Sequence, residues 1–397
     1  MSDFTQNGVV CTLQRLNTAH LDELDRVWLP PLSEASPVTI ILPCHAPDLR
    51  GPALAPICRD LAHAPWLRQL LIPINGLPPS KLPEVRAFFK TSLPNTRHLV
   101  FQTDTPDLTR ILAQGVGLQP AQLPSGKGLN VWVALGLLFA SNNQGIVTLQ
   151  DCDVLSFQRA SLARLAFALA DPNLGFDFAK MYYSRVTDRL YGRVSRLFLS
   201  PLLHALIHVA GHHPLLDFLQ SFRYPLSGEC SVRSDLAARL PFSNGWALEI
   251  GMLSSIFRQI DASKVCQVDG GSDYDHKHQP ATGSLSRMCT EIGNALLLEL
   301  QTEGCALSPA FLKSVSSALR KESMEAVRRS DALSRINGLI ASPEEESEMA
   351  CAFANCIPLI APPPTESLPA WDQIQRSSPT TLQALLETAD ASGHPIP

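Results

Sequence analysis

Apolar positions give the first reading of this 397-residue chain. Val38-Thr39-Ile40-Ile41-Leu42-Pro43 is a short, partly β-branched run closed by proline, the pattern of a strand buried on both faces of a parallel sheet. Similar runs occupy 67–74, 98–102 and 145–150, and helical spacing fills 53–64, 81–91 and 128–140 between them. Strands and helices thus alternate as far as residue 150, which predicts a parallel, doubly wound α/β sheet. Ligands of such sheets lie beyond the carboxyl ends of the strands. Pro43-Cys44-His45, Asn75-Gly76 and Asp151-Cys152-Asp153 all fall at those ends and are expected to line one cleft.

The flanks read differently. Residues 1–36 predict an N-terminal helical extension broken at Pro30-Pro31. The middle stretch, 155–284, mixes helices at 160–170, 197–210 and 245–260 with polar connectors. From 285 the pattern is helical, at 285–302, 309–320 and 324–339, with a last helix near 380–389 beyond the proline-rich stretch from Ala361. There is no internal repeat.

Composition narrows the classes. With 45% hydrophobic and 17% charged residues the chain is globular, not disordered. A net charge of -5 without a long basic run argues against a nucleic-acid partner. The start shows no basic segment followed by an apolar one. The most apolar runs, near 131–140 and 197–210, are too short or too interrupted to span a bilayer. A cytoplasmic protein with no membrane partner is expected. Its ten cysteines, with no CxxC pair, are then free thiols.

Several groups can carry chemistry. Asp151 and Asp153 flank Cys152 after an apolar strand, and residues two apart in an extended segment face one side. Two carboxylates there can hold a hard divalent cation, or can be a solvated acidic turn. Ser125-Gly126-Lys127-Gly128 lets backbone approach a ligand and offers a cation to phosphate, although it is not a P-loop; it also suits an ordinary turn. Tyr191-Gly192-Arg193-Val194-Ser195-Arg196, with Arg185 and Arg189, is the densest basic stretch, suited to phosphate or carboxylate or to a solvated face paired with Asp188. Glu229 and Glu249 sit among apolar residues, where each can orient a hydroxyl, act as a base, or simply cap a helix. His276 and His278 lie in a polar segment, and His276 can complete a metal site begun by Asp153. His204, His208 and His212 have helical spacing but no acid to complete a zinc pattern, so they read as a helix face.

The order of these pieces is more specific than any one of them. Gly192-Arg193-Val194-Ser195-Arg196-Leu197 with Pro201-Leu202-Leu203, then Pro225-Leu226-Ser227-Gly228-Glu229, then Leu240-Pro241-Phe242 and Glu249-Ile250-Gly251, resembles the glucosyl-3-phosphoglycerate synthases over about residues 36–300. The resemblance implies a Rossmann-like, type-A glycosyltransferase fold with a helical C-terminal extension. It implies a catalytic domain at 37–284, divided into a nucleotide-sugar half (37–155) and an acceptor half (156–284), and a helical region at 285–397.

The same resemblance implies retaining transfer of glucose from a nucleotide diphosphate sugar, UDP-glucose, to 3-phosphoglycerate in compatible-solute synthesis. GDP-mannose or GDP-glucose as donor, free glycerate as acceptor, and a non-catalytic nucleotide-sugar-binding homologue are the alternatives. Pro43, Asn75, Lys127, Asp151, Cys152, Asp153 and Glu229 are then expected on the donor. Asp153 and His276 are expected on Mg²⁺ or Mn²⁺, and Gly192, Arg193, Ser195 and His278 on the anionic acceptor. Glu249 and Asp153 are the expected catalytic pair, and a homodimer is expected. The chain departs from the family at Cys44-His45-Ala46-Pro47, where the glutamate that would meet uracil is absent. It departs again at Asn75-Gly76-Leu77-Pro78, which replaces an Asp-rich turn, and at Ser195 and Arg196, which replace a threonine and an acid.

Overall fold

Nine strands make one sheet at the centre of the computed structural model, which describes all residues except 1–7, 18–19, 244, 272–274, 276–281, 359, 363–366 and 391–397. The strands are β1 (Cys11–Leu13), β2 (Val38–Ile41), β3 (Cys44–His45), β4 (Leu67–Asn75), β5 (His98–Gln102), β6 (Ile146–Leu149), β7 (Phe178–Tyr182), β8 (Cys230–Arg233) and β9 (Val265–Asp269). Their order is β1-β9-β7-β8-β6-β2-β4-β3, with β5 also on β4. Every pairing is parallel except those of β8, which runs antiparallel to β6 and β7.

Alternation along the strands explains the layers. Ile41, Leu71, Leu99 and Val147 enter one apolar cluster, whereas Ile40, Leu70, Val100 and Ile146 enter a second cluster. Successive side chains point to opposite faces, so a strand apolar at every position needs helices on both sides. The helix Lys127–Ala140 belongs to the first cluster, and the helices Leu54–Leu61 and Arg159–Ala170 to the second.

The expected strands at 38–43, 67–74, 98–102 and 145–150 are present within a residue or two. Three features differ from expectation. The N-terminal stretch is not wholly helical, because Cys11–Leu13 adds a parallel strand beside β9 at the sheet edge. The middle stretch supplies β7, β8 and β9, none of which its sequence announced. The expected helices 309–320 and 324–339 are one 28-residue helix, Pro309–Ile336, which continues through the polar stretch between them and packs on the helices Ser200–Ala210 and Pro343–Ala354.

The C-terminal segment is tied to the core. Trp371 is fully buried and stacks on Trp132, with ring centroids 4.2 Å apart. All ten cysteines are free thiols. No helix among the described residues is long and apolar enough to cross a membrane.

Candidate active site

Asn130 binds the strand ends together. It is buried in the helix Lys127–Ala140, which is otherwise apolar beyond Lys127 at its start. Its amide donates to the Cys44 carbonyl at 3.1 Å and to Asn75 Oδ1 at 3.0 Å, and its Oδ1 accepts from the Thr103 hydroxyl at 2.5 Å. One side chain thereby fixes the ends of β3, β4 and β5. Asn75 closes β4, and Pro43 is buried between β2 and β3. The helix itself begins after Gly126, whose φ of +96° and absent Cβ let the loop turn directly into Lys127.

Lys127 is the hub of the site. Its Nζ stands 2.7 Å from Asp151 Oδ1 and 3.3 Å from Glu249 Oε1. Burial pulls this ammonium down, but Asp151 and Glu249, with Glu229 behind them, outweigh it and leave it raised above its ordinary value. Asp151 follows β6, and Glu249 lies in the first turn of the helix Leu248–Gln259. Gly228 packs over the pair: a Cβ there would come within 2.5 Å of Lys127 Nζ and would overlap the Asp151 carboxylate.

Asp151-Cys152-Asp153 forms a turn beyond β6, not a continuation of the strand. Cys152 is buried against Cys44, whose thiol is pushed well up by its hydrogen bond to Cys152 and by burial. The Asp153 carboxyl is raised to about 6 by burial and by the nearby charges of Asp151 and Asp48. Asp48 follows the divergent Cys44–Pro47 segment. It brings an acid to this corner that sequence reasoning did not single out.

A divalent cation fits such a corner. Asp48, Asp151 and Asp153 offer hard oxygen donors, and the like charges that hold the Asp153 proton would be neutralised by a cation. Among the described residues no three His, Cys, Asp or Glu side chains converge tightly enough to hold a metal alone. His276 and His278, expected at the metal and the acceptor, lie outside the described residues.

Glu229 is fully buried just before β8. The Tyr183 hydroxyl donates to its Oε2 at 2.9 Å, and Tyr183 meets the ring of Tyr224 at 5.0 Å. Both tyrosines line a neighbouring cavity of about 360 Å³. Gly192 and Ser195 line that cavity. Arg193 does not. It borders a shallow crevice beside the cavity and pairs with Glu345 at 3.5 Å. Arg196 lines the cavity but is bound to Glu346, with one N–O distance of 2.8 Å.

Two further residues escaped the sequence reading. Lys180, in the middle of β7, is fully buried and donates to the Ser227 carbonyl at 2.6 Å, and burial lowers its pKa. It braces the Ser227-Gly228-Glu229 loop from beneath. A lone lysine inside Phe178–Tyr182, like Asn130 inside its apolar helix, was the available signal.

No family model matches the chain. It is 33% identical over 365 residues to the glucosyl-3-phosphoglycerate synthase of Persephonella marina, covering 90% of this chain and 89% of that one. It is 28% identical over 378 residues to the enzyme of the same name from Methanococcoides burtonii, covering 91% of each. A crystal structure of the Mycobacterium tuberculosis glucosyl-3-phosphoglycerate synthase, in complex with Mn²⁺, UDP-glucose and phosphoglyceric acid, matches in fold with a TM-score of 0.53 at 22% identity, over 73% of this chain and 87% of that one. The sheet, its acidic corner and these likenesses define a glycosyltransferase with the type-A fold. The chain belongs to the glucosyl-3-phosphoglycerate synthase family.

Proposed function

We propose that this enzyme moves glucose from UDP-glucose to the 2-hydroxyl of 3-phosphoglycerate, releasing UDP and giving glucosyl-3-phosphoglycerate. The reading draws support from the names of its relatives and from the ligands of the mycobacterial complex. The observation that carries it is the junction of Lys127 with Asp151 and Glu249, which meets beside buried Glu229 at the carboxyl ends of the parallel strands.

In this reading residues 37–155 hold the donor and 156–284 the acceptor. Pro43 and Asn75 border the nucleotide, and Asp151 and Cys152 its ribose. Asp153, with His276, would hold Mg²⁺ or Mn²⁺, which would supply charge neutralisation for the departing diphosphate. Lys127 keeps Asp151 and Glu249 at a fixed separation while contributing its own positive charge to the donor side. Glu229, pinned by Tyr183, and Glu249 accept hydrogen bonds from glucose hydroxyls and fix the sugar beside the acceptor. Gly192, Arg193 and Ser195 present the acceptor, with His278 on the same side. The enzyme works as a cytoplasmic homodimer on two small anions, without a nucleic-acid or membrane partner.

The test is purified protein with UDP-glucose, 3-phosphoglycerate and Mn²⁺, read by mass of the product and release of UDP. Nucleotide release indifferent to 3-phosphoglycerate overturns the acceptor. Turnover with GDP-glucose or GDP-mannose in place of UDP-glucose overturns the donor. Asp153→Ala is expected to abolish transfer.

A further inference from the structure

We propose that Ser156 is a positioning residue of the cation site: its hydroxyl holds the segment that leads into His276 against the turn that leads out of Asp153. The proposal rests on the reading above that Asp153 and His276 share the ion, and it adds what brings their two segments together. Asp275, the residue before His276, donates its amide to Ser156 Oγ at 2.7 Å. The Asp275 carbonyl in turn accepts from the Leu155 amide at 2.7 Å. Two hydrogen bonds thus clasp Leu155 and Ser156 to a single residue 119 positions beyond Ser156 in the chain.

The clasp has firm ground on the Ser156 side. Asp151 is held by Lys127 at one end of the turn. At the other end Arg159 grips fully buried Asp25, its Nε 2.9 and 3.0 Å from the two carboxylate oxygens, and its amide donates to Asp60 at 2.8 Å. Leu155 and Ser156 lie between these two anchors. The Asp275 side starts from the end of β9. There the Asp269 carboxylate accepts from the Gly271 amide at 2.9 Å, and the Gly271 carbonyl accepts from the Ser184 amide at 3.1 Å.

Helix geometry does not account for the serine. The helix Arg159–Ala170 has Gln158 as its N-cap and no side-chain cap, so the Ser156 hydroxyl serves the Asp275 amide and not the start of the helix. The connection falls one residue before His276 and two to three residues after Asp153. A divalent cation binds more tightly when its ligands are already held at the right separation, because less ordering has to accompany binding. Without the Ser156 acceptor the Asp275 amide must turn to water, and the segment that leads into His276 gains freedom that the ion has to remove.

Ser156→Ala, Ser156→Cys and Ser156→Thr are compared with wild type in the presence of UDP. Mn²⁺ affinity is read from the paramagnetic resonance of the free ion, and the melting temperature is read without metal. Ser156→Ala is expected to weaken Mn²⁺ binding about tenfold, the scale for losing a group that supports a metal ligand. Its metal-free melting temperature should stay within about 2 °C of wild type. Ser156→Cys keeps the size of the side chain but offers a weak acceptor, so it should show the same loss, and it takes the place of the alanine variant if that one does not fold. Ser156→Thr keeps the hydroxyl and should bind Mn²⁺ like wild type. Saturating Mn²⁺ should restore most of kcat to Ser156→Ala. Wild-type Mn²⁺ affinity in the alanine or cysteine variant, alongside lost affinity in His276→Ala, overturns the clasp and leaves the metal reading intact. A threonine variant as weak as the alanine variant overturns the clasp as well. Wild-type affinity in His276→Ala overturns the metal reading itself, and the clasp with it.

Discussion

Lys127 Nζ stands 2.7 Å from Asp151 and 3.3 Å from Glu249, so one ammonium joins the turn after β6 to the first turn of a helix nearly a hundred residues further along the chain. Neither carboxylate has its present position secured by sequence neighbours alone. Lys127→Ala should therefore lose more than a donor contact, because it leaves two acids facing each other without their shared cation. We expect kcat to fall about a hundredfold or more, the scale for loss of a preorganised charge at a reacting group. Stability should fall by only about 1–2 kcal/mol, since both pairs are partly solvated. Steady-state kinetics alongside thermal denaturation checks both. A variant that loses stability but keeps kcat would make Lys127 purely structural.

Gly228 gives a sharper test of the same corner. A methyl group there would push into Lys127 Nζ and the Asp151 carboxylate while the surrounding loop stays braced by Lys180. Gly228→Ala should cost at least about tenfold in kcat/KM for UDP-glucose, as expected when positioning at a reacting centre is disturbed. Its melting temperature should stay close to wild type, because the displaced atoms are ends of flexible side chains. Equal kcat/KM in the two proteins would show that the Lys127–Asp151 contact is not needed for transfer.

Much of this corner could be read from the sequence, and the reason is local. β2 and β6 are apolar but for one threonine each, and β4 and β5 have apolar centres at 70–74 and 99–101, so their ends, and the residues placed there, were visible from period and punctuation. β7, β8 and β9 were not visible because their interiors carry Lys180, Ser231 and Gln267, all buried. These are stable only through distant partners: Lys180 on Ser227, Ser231 on Thr148, and Gln267 on Thr12 and Ser221. β1 has three residues and owes its existence to β9, some 250 positions away. The arginines show the same division. Their density at 185–196 was legible, but which of them is neutralised by Glu345 or Glu346 depends on a helix that follows much later.

Asp153 predicts a pH dependence in the metal-free protein. Its carboxyl loses a proton near 3.8 when unfolded and near 6 when folded. Between those values the folded state binds more protons, so stability falls as pH rises from about 4 to about 6 and is level above that. A shift of this size corresponds to about 1–3 kcal/mol after allowance for partial solvation. Asp153→Asn should remove that component and raise the melting temperature of the metal-free protein at pH 7. Mn²⁺ should raise the wild-type melting temperature at pH 7, lose effect below pH 6, and do little for the variant. Identical pH profiles for wild type and variant would mean that Asp153 is not held protonated by its neighbours.

The stacked pair Trp132 and Trp371 predicts that the C-terminal segment is part of the folding unit. Trp371 donates its indole N–H to the Trp132 carbonyl at 2.7 Å, and Trp132 donates to the Pro369 carbonyl at 2.8 Å. The stack needs Gly136, since a Cβ at that position would overlap the Trp371 ring. Trp371→Ala removes a fully buried ring and two partners' packing together, and should destabilise by about 3–5 kcal/mol. Gly136→Ala attacks the same contact from the other side and should cost about 1–3 kcal/mol through overpacking. Because both changes act on one contact, the double variant should cost clearly less than the sum of the two, a coupling that a denaturant-unfolding double-mutant cycle measures directly. Strict additivity would mean that the two residues contribute independently. The helix carrying Trp132 also begins at Lys127, so a loosened stack should appear as a higher KM for UDP-glucose before it appears in kcat.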